Sequence, residues 1–228
     1  MTLKPLQQAA YTYLKNQIFS GQMEFDCIYS EMKIAEEIGI SRTPVRDAVH
    51  LLVQEGLLDI IPSRGFCLHK ITEKEILDTF EMRQAIEGHC AALIAAEHGT
   101  DHAMETVHSL NRMVKEQRGI MNSSRSLSKF WDIDEEFHLT IIHYSNNLIF
   151  RDVFEKYMFR IQDLAIGTHG SLTHRGRMET TVAEHQAIVT AMASGDLMQT
   201  HRAMQDHMQV PRDINLLDLK AIQSPRPR

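Results

Sequence analysis

Asp134, His138, His185 and His207 are the residues of this 228-residue chain whose types and spacing best suit a bound metal ion. Asp134 and His138 lie four apart, so on a helix they project from one face. His185 and His207 stand ten residues before and twelve residues after Gly195. If Gly195 turns between two antiparallel helices, a rise of ~1.5 Å per residue sets them roughly 15 and 18 Å from the turn, nearly level. One carboxylate and three imidazoles on three helices could then meet at one interior point. That donor set suits Zn²⁺ first, with Ni²⁺, Fe²⁺ or Mn²⁺ as alternatives, and leaves positions for water or a ligand. With 13 histidines in the chain, chance spacings compete with this reading. His89, His98, His102, His108, His143, His169, His174 and His201 read as surface or local hydrogen-bonding residues. A second group, Arg42, Arg46 and His50, has the chemistry for nucleic acid. Guanidinium forks at a helix start can grip phosphate or the O6/N7 edge of guanine.

The elements that must position the arginines are legible around them. Thr43 suits an N-cap and Pro44 the first helical position, where its missing N–H costs nothing. Val45, Ala48, Val49 and Leu52 form the inward stripe of that helix. Upstream, Ser30 to Gly39 reads as a short helix capped by Ser30 and ended by Gly39, with Ile34, Ala35 and Ile38 buried. Before it, Leu6, Ala10, Tyr13, Leu14 and Ile18 mark a first helix closed by Ser20-Gly21. Helix, glycine-containing turn and capped helix make a helix-turn-helix pattern. Downstream, Leu57–Ile61 and Phe66–Lys70 are β-prone runs around Pro62-Ser63-Arg64-Gly65, a hairpin with a basic tip that reads as the wing of a winged helix.

These residues resemble the GntR family of bacterial transcription regulators. The resemblance rests on Tyr13-Leu14-Lys15, Ser20-Gly21, Ser30-Glu31, Ile34-Ala35-Glu36, the run Ile38 to Ala48, Leu51-Leu52, Glu55-Gly56-Leu57 and Arg64-Gly65, and covers nearly all of residues 5–70. It implies that Arg42 and Arg46 contact operator DNA and that Gly65 at the wing tip approaches the minor groove; Thr43 and His50 on the same helix and Arg64 at the basic hairpin tip join the expected DNA-binding set from their own positions. Two departures stand out: Phe25-Asp26 replaces the usual Pro-Gly, and Met32 stands where some members carry a basic residue.

Charge confines any DNA contact to a local cluster. The chain carries formal charge −6, and residues 1–70 hold seven Lys/Arg against eight Asp/Glu. An acidic body behind a basic face orients approach to phosphate, and binding should fall steeply with salt. No apolar run nears the ~20 residues that span a bilayer, and no signal-peptide pattern opens the chain. Cys27, Cys67 and Cys90 are odd in number and widely spaced, and read as small core residues in a reducing compartment. The expected location is the cytoplasm, with no membrane partner.

From Thr72 the strand signal stops. Six helical segments follow, beginning near Thr72, Thr100, Leu127, Asn147, Met178 and Gly195. The polar stretch Asn122–Arg125 and a Gly/Ser/Thr/His loop from Gly167 to Gly176 interrupt them. Pro211 is expected to stop the sixth near Val210, with a loose tail beyond. The fold class is therefore mainly α, an N-terminal winged helix-turn-helix followed by an antiparallel six-helix bundle. The expected domains are 1–71, 72–212 and a flexible tail, 213–228.

Residues 72–210 resemble the FCD effector domain attached to the FadR branch of GntR regulators. Asp134-Glu135-Glu136-Phe137-His138, Asn147, Glu184-His185 and His207 carry that resemblance, nearer to the six-helix variant than to the seven-helix one. In metal-binding members the positions of Asp134, His138, His185 and His207 are the ligands, and the metal helps hold a small carboxylate effector. The resemblance gives Arg83 the role of the assisting basic residue; its competing reading is a salt bridge to Glu87, four residues on. Arg160 is a second candidate for effector binding. An organic or sugar acid is the expected effector, by analogy of fold. The resulting expectation is a homodimeric, non-enzymatic DNA-binding regulator of a palindromic operator, controlled from the bundle. Two alternatives stay open: a regulator sensing the metal alone, and a helical metalloenzyme using Glu136 or Glu184 as base.

Overall fold

The computed structural model describes residues 4–121, 127–167 and 174–223, with side chains at 4–121, 128–157 and 177–220. Among these residues the order is α1 (Pro5–Phe19), α2 (Glu31–Glu37), α3 (Arg42–Gln54), β1 (Leu58–Ile61), β2 (Gly65–Leu68), then α4 (Glu73–Ala96), α5 (Asp101–Met121), α6 (Leu127–Tyr144), α7 (Leu148–Gly167), α8 (His174–Ser194) and α9 (Leu197–Gln223). This is the expected mainly α class, three helices and a hairpin followed by six helices. Residue contacts divide the chain into one unit of Met1–Thr72, Lys156–His169 and Asp218–Arg228, and a second of Glu73–Glu155 and Gly170–Leu217.

In the first unit, α3 sits on a core of Val45, Ala48, Val49 and Leu52 with Ala10 and Leu14 of α1, Ile34 and Ala35 of α2, and Phe66 of β2. A polar strut ties α1 to the end of α3: the Tyr11 hydroxyl donates to the Glu55 carboxylate at 2.8 Å, and Lys15 Nζ donates to the Tyr11 oxygen at 2.9 Å. Ser30 caps α2, accepting from Met32 N–H at 3.3 Å. The entrance of α3 differs from expectation. Ser41, not Thr43, is its N-cap, so Arg42 is the first helical residue and Pro44 the third. Pro44 is tolerated there because N–H groups of the first turn have no intrahelical acceptor. Asp26 takes φ +65°, a conformation that Asp adopts more readily than most residues.

The hairpin pairs Leu58 with Leu68 and Ile61 with Gly65. Tyr29 adds a single antiparallel bridge to β2, its N–H donating to Phe66 C=O at 2.7 Å and its C=O accepting from Phe66 N–H at 3.0 Å. Gly65 takes φ +133°, and a Cβ there would sit 2.0 Å from the Tyr29 carbonyl oxygen. The sheet alone therefore demands this glycine. Cys90 is buried and Cys67 half-buried, but Cys27 is exposed in the turn before Tyr29, which corrects its reading as a core residue.

In the second unit, α4 and α5 each pack against α6 and α8. Side chains cap several helices: Thr100 Oγ1 accepts from Ala103 N–H, Asn147 Oδ1 from Ile149 N–H, and Asp196 Oδ1 from Gln199 N–H. Gly195 turns α8 into α9 at φ +75°, with His98 so close that a Cβ would meet its ring at 2.4 Å. Two expectations need correction. The helix before the predicted 167–176 loop runs to Gly167 and the next begins at His174, leaving 168–173 outside the described residues, as is the polar stretch 122–126. Pro211 does not stop the last helix, which continues to Gln223, so 213–228 is not a loose tail throughout. Proline removes one N–H and crowds the carbonyl four residues earlier. Past it the chain resumes helical bonding: Asn215 Nδ2 adds a bond to Pro211 C=O at 2.7 Å, and Leu219 is buried.

Candidate metal centre and DNA-reading face

His138 on α6, His185 on α8 and His207 on α9 converge inside the second unit, with Asp134 of α6 beside His138 and His185. His138 Nε2 and His207 Nε2 face each other at 3.3 Å. Asp134 Oδ1 stands 3.6 Å from His185 Nε2, and Oδ2 stands 3.9 Å from His138 Nε2. Donor atoms sharing one ion at about 2.1 Å lie at most about 4.2 Å apart, and all three separations satisfy that limit. The three histidines are at most 2% exposed, and they are the one metal-competent group of His, Cys, Asp or Glu found among the described residues.

The opposite ring nitrogens are all engaged. His138 Nδ1 lies 2.5 Å from Glu87 Oε2, His207 Nδ1 lies 2.7 Å from Glu184 Oε2, and His185 Nδ1 lies 3.0 Å from Gln117 Oε1. A carboxylate only accepts, so Nδ1 of His138 and His207 carries a proton and Nε2 is the ring atom that faces the site. His185 Nε2 and Asp134 Oδ1 are buried without a hydrogen-bond partner. An interior normally satisfies its polar atoms, so these two unpartnered atoms, beside the mutually close ring nitrogens of His138, His185 and His207, fit a cation. Backing of each ligating imidazole by a second residue is the usual way its tautomer and orientation are fixed.

The electrostatics favour ligand-ready side chains. Burial holds the His185 imidazole well below its ordinary range, reinforced by His207, His138 and the cations Arg177 and Arg83. Burial also lowers His207, against the opposing hydrogen bond from Glu184. Burial acts to raise Glu87, but the charges and hydrogen bonds of Arg83 and His138 outweigh it and bring its pKa down to about 2. Glu184 is likewise lowered despite burial, by hydrogen bonds from His207 and Arg177.

Arg83 is 4% exposed, and its Nε donates to Glu87 Oε1 at 2.8 Å. Its guanidinium lies over Phe80 and Phe154, at 5.4 and 5.6 Å from the ring centroids. The alternative reading of this residue, a pair with Glu87, is the arrangement present. The side chain of Arg160 lies outside the described residues. Glu136 is exposed, two positions from His138 and so turned from the site, and Glu184 is held by Arg177 at 3.1 Å and by His207. Neither candidate base of the enzyme alternative is placed to activate a water at the four-residue point.

Sequence reasoning missed Gln117 and Arg177, named Glu87 only as a partner of Arg83, and named Glu184 only as a motif residue and a candidate base. Their signal was a polar residue on a buried stripe: Arg83 and Glu87 follow Ile76 and Phe80 on α4, and Gln117 follows Leu110 and Val114 on α5. His98 and His102 have the local roles expected, on Ala95 C=O and stacked 4.5 Å from Tyr144.

On the first unit, Arg42, Thr43, Arg46 and His50 are exposed along α3, and Arg64 is exposed at the hairpin tip. Arg42 Nε donates to Glu31 Oε2 at 2.7 Å. Arg46 and Arg64 form no ion pair among the described residues, whereas Lys70 is paired with Asp26 at 2.5 Å.

Comparison with known proteins agrees with both units. Residues 6–68 match the family described as bacterial regulatory proteins, gntR family, and residues 78–210 match the FCD domain family. The HTH-type transcriptional repressor RspR of Escherichia coli K12 is 26% identical over 206 residues, covering 90% of this chain and 87% of that protein. The regulator YdhC of Bacillus subtilis is 26% identical over 180 residues, covering 78% and 76%. Among solved structures, E. coli McbR/YncC shares the fold with a TM-score of 0.69 at 19% identity, covering 94% and 99% of the two chains. The metal-free FCD domain of TM0439 aligns with 66% of this chain and 98% of its own, with a TM-score of 0.52 at 21% identity.

Proposed function

The chain belongs to the FCD-domain branch of the GntR family of bacterial transcription regulators, a DNA-binding regulator with an effector domain, and from that premise we propose how its two units divide the work. Arg42, Thr43, Arg46 and His50 on α3, with Arg64 and Gly65 at the wing, contact double-stranded operator DNA. Asp134, His138, His185 and His207 hold one divalent transition metal, zinc before nickel, iron or manganese. The protein acts in the cytoplasm as a homodimer, one head per half-site of a palindromic operator, and it is not an enzyme. Residues 1–71 form the DNA head and 72–212 the effector and dimerisation domain.

When bound, the metal supplies an electrophilic centre for a carboxylate oxygen of a small organic or sugar acid. The chain's own residues do the rest. Glu87, Glu184 and Gln117 fix the imidazoles with Nε2 inward, and burial keeps His185 and His207 neutral and able to ligate. Arg83 anchors Glu87 and assists the acid with its remaining N–H groups; Arg160 is a second candidate for that role. Acid binding biases the DNA heads toward or away from the operator spacing, through a hinge near Lys70–Glu73. Such control requires different acid affinities in the two arrangements.

The observation that carries this reading is the convergence of three buried histidine nitrogens, each ring already tied at Nδ1, with Asp134 beside two of them. Two variants test it. Arg46→Ala should abolish operator binding while the effector domain stays folded, and normal operator binding by that variant would remove α3 from its role. His185→Ala should lose metal and acid response while still binding operator. Metal titration into an operator assay, with and without acids, separates acid control from sensing of the metal alone.

A further inference from the structure

We propose that Glu31 positions Arg42 for DNA reading: it holds the guanidinium by Nε, so that only the two terminal nitrogens face a guanine of the operator half-site. The proposal rests on α3 being the reading helix. Glu31 opens α2 and Arg42 opens α3, and the Nε–Oε2 distance is 2.7 Å. The carboxylate is sheltered, with 15% of its side chain exposed, whereas Arg42 projects with 66% exposed. Arginine can present two parallel N–H groups to guanine O6 and N7 from its side edge, Nε with one Nη, or from its end, Nη1 with Nη2. The bond to Glu31 occupies Nε and thereby removes the side edge. What remains is one end-on fork with fixed orientation.

The same pair divides labour among the basic residues. Arg42 and Glu31 together carry no net charge, so Arg42 adds little to the sequence-independent attraction of phosphate. Arg46 and Arg64, with no carboxylate partner among the described residues, supply that attraction. Removing Glu31 should therefore act in opposite directions on two observables. Discrimination at one base pair falls, because the fork is free to swing. Affinity for any duplex rises, because a negative charge beside the phosphates is gone. A carboxylate that merely braced the fold would move both in the same direction.

The experiment uses the full chain and a random-sequence DNA duplex pool, followed by titration of the selected duplex and a scrambled one. Circular dichroism melts verify that each variant is folded, since an exposed ion pair contributes little to stability. The wild type should select a guanine that Arg42→Lys and Glu31→Ala both flatten, with discrimination there falling roughly five- to a hundred-fold. Glu31→Ala should bind the scrambled duplex several-fold tighter, with a salt slope steeper by about one phosphate contact. Glu31→Gln, which keeps an acceptor oxygen without the charge, should retain part of the guanine preference and still bind the scrambled duplex tighter. An undiminished guanine preference in Glu31→Ala overturns the proposal, as does equal weakening on both duplexes. Failure of the reading-helix premise looks different: the selected duplex would then be bound equally by wild type and Arg46→Ala.

Discussion

Glu87→Gln should be the most costly conservative change in the second unit, and its size follows from the geometry. Glu87 is fully buried, bonded on one oxygen to Arg83 and on the other to His138. Its pKa falls from 4.5 to about 2 on folding. At 1.36 kcal/mol per pKa unit that difference is worth about 3 kcal/mol at neutral pH. The cost of stranding one member of a buried pair, about 3–5 kcal/mol, gives the same scale independently. For a chain of this size, about 3 kcal/mol corresponds to a loss of roughly 6–12 °C in melting temperature. The assay is thermal unfolding of chelator-treated protein, followed by circular dichroism from pH 7 downward. A carboxyl whose pKa is depressed on folding contributes fully above pH 4.5, and that contribution is lost as pH falls toward 2. The gap between wild type and variant should therefore be widest at neutral pH and close between pH 4.5 and 2. The double variant Arg83→Leu, Glu87→Leu should recover most of the stability, because it leaves no charge stranded. It should still bind metal about 10- to 100-fold more weakly, because His138 has lost its orienting partner. A Glu87→Gln protein melting within about 2 °C of wild type at pH 7 would refute this reasoning.

Other residues give sharp outcomes. Asp134→Ala removes a buried oxygen that has no hydrogen-bond partner, so the metal-free protein should melt no lower than wild type, while stabilisation by added zinc disappears; a drop in the metal-free melting point would speak against the orphan assignment. Burial lowers both His185 and His207, so their contribution to stability is full above about pH 6.5 and lost as pH falls below it. Metal release measured with a colorimetric chelator should follow the same direction, and retention of metal at pH 4 would contradict it. Gly65→Ala should cost about 1–3 kcal/mol through strain at a positive φ, and more through the 2.0 Å approach of its Cβ to Tyr29 C=O. Its melt should fall without loss of metal content.

The helix-turn-helix was legible because each signal was local: Ser30 as cap, Gly39 at the turn, the Val45–Leu52 stripe and the β-prone runs at the hairpin. Thr43 misled as the N-cap because Pro44 suits the first helical position, yet proline is equally tolerated at the third. Pro211 misled because the rule that proline ends a helix yields when the residues beyond it resume the helix, here to Gln223 with the Asn215 side chain bonding Pro211 C=O and Leu219 buried. The meeting of the three histidines was legible from the level of His185 and His207 about Gly195 and from the spacing that puts His138 on one helix face, since level and spacing are one-dimensional properties. Which residue backs each imidazole was not, because that depends on helix rotation and on partners 23 to 68 positions away. Arg83 shows the limit most plainly: its spacing to Glu87 fitted either of two roles, and only burial of the pair, with the Phe80 and Phe154 rings near the guanidinium, showed which bond it makes. Gly65 was noticed as a DNA-approaching residue, while its reason within the fold, the close Tyr29 carbonyl, lies 36 residues upstream.

The central claim is that acid control of DNA binding passes through the buried Asp134/His138/His185/His207 site. The most direct measurement is operator affinity by fluorescence anisotropy, for wild type and Asp134→Ala, each chelator-treated or zinc-loaded and titrated with carboxylic and sugar acids. An active acid should shift wild-type affinity only when zinc is present, and should leave Asp134→Ala unmoved although it binds operator as tightly as untreated wild type. An equal shift in chelator-treated wild type, or in Asp134→Ala, would contradict the account.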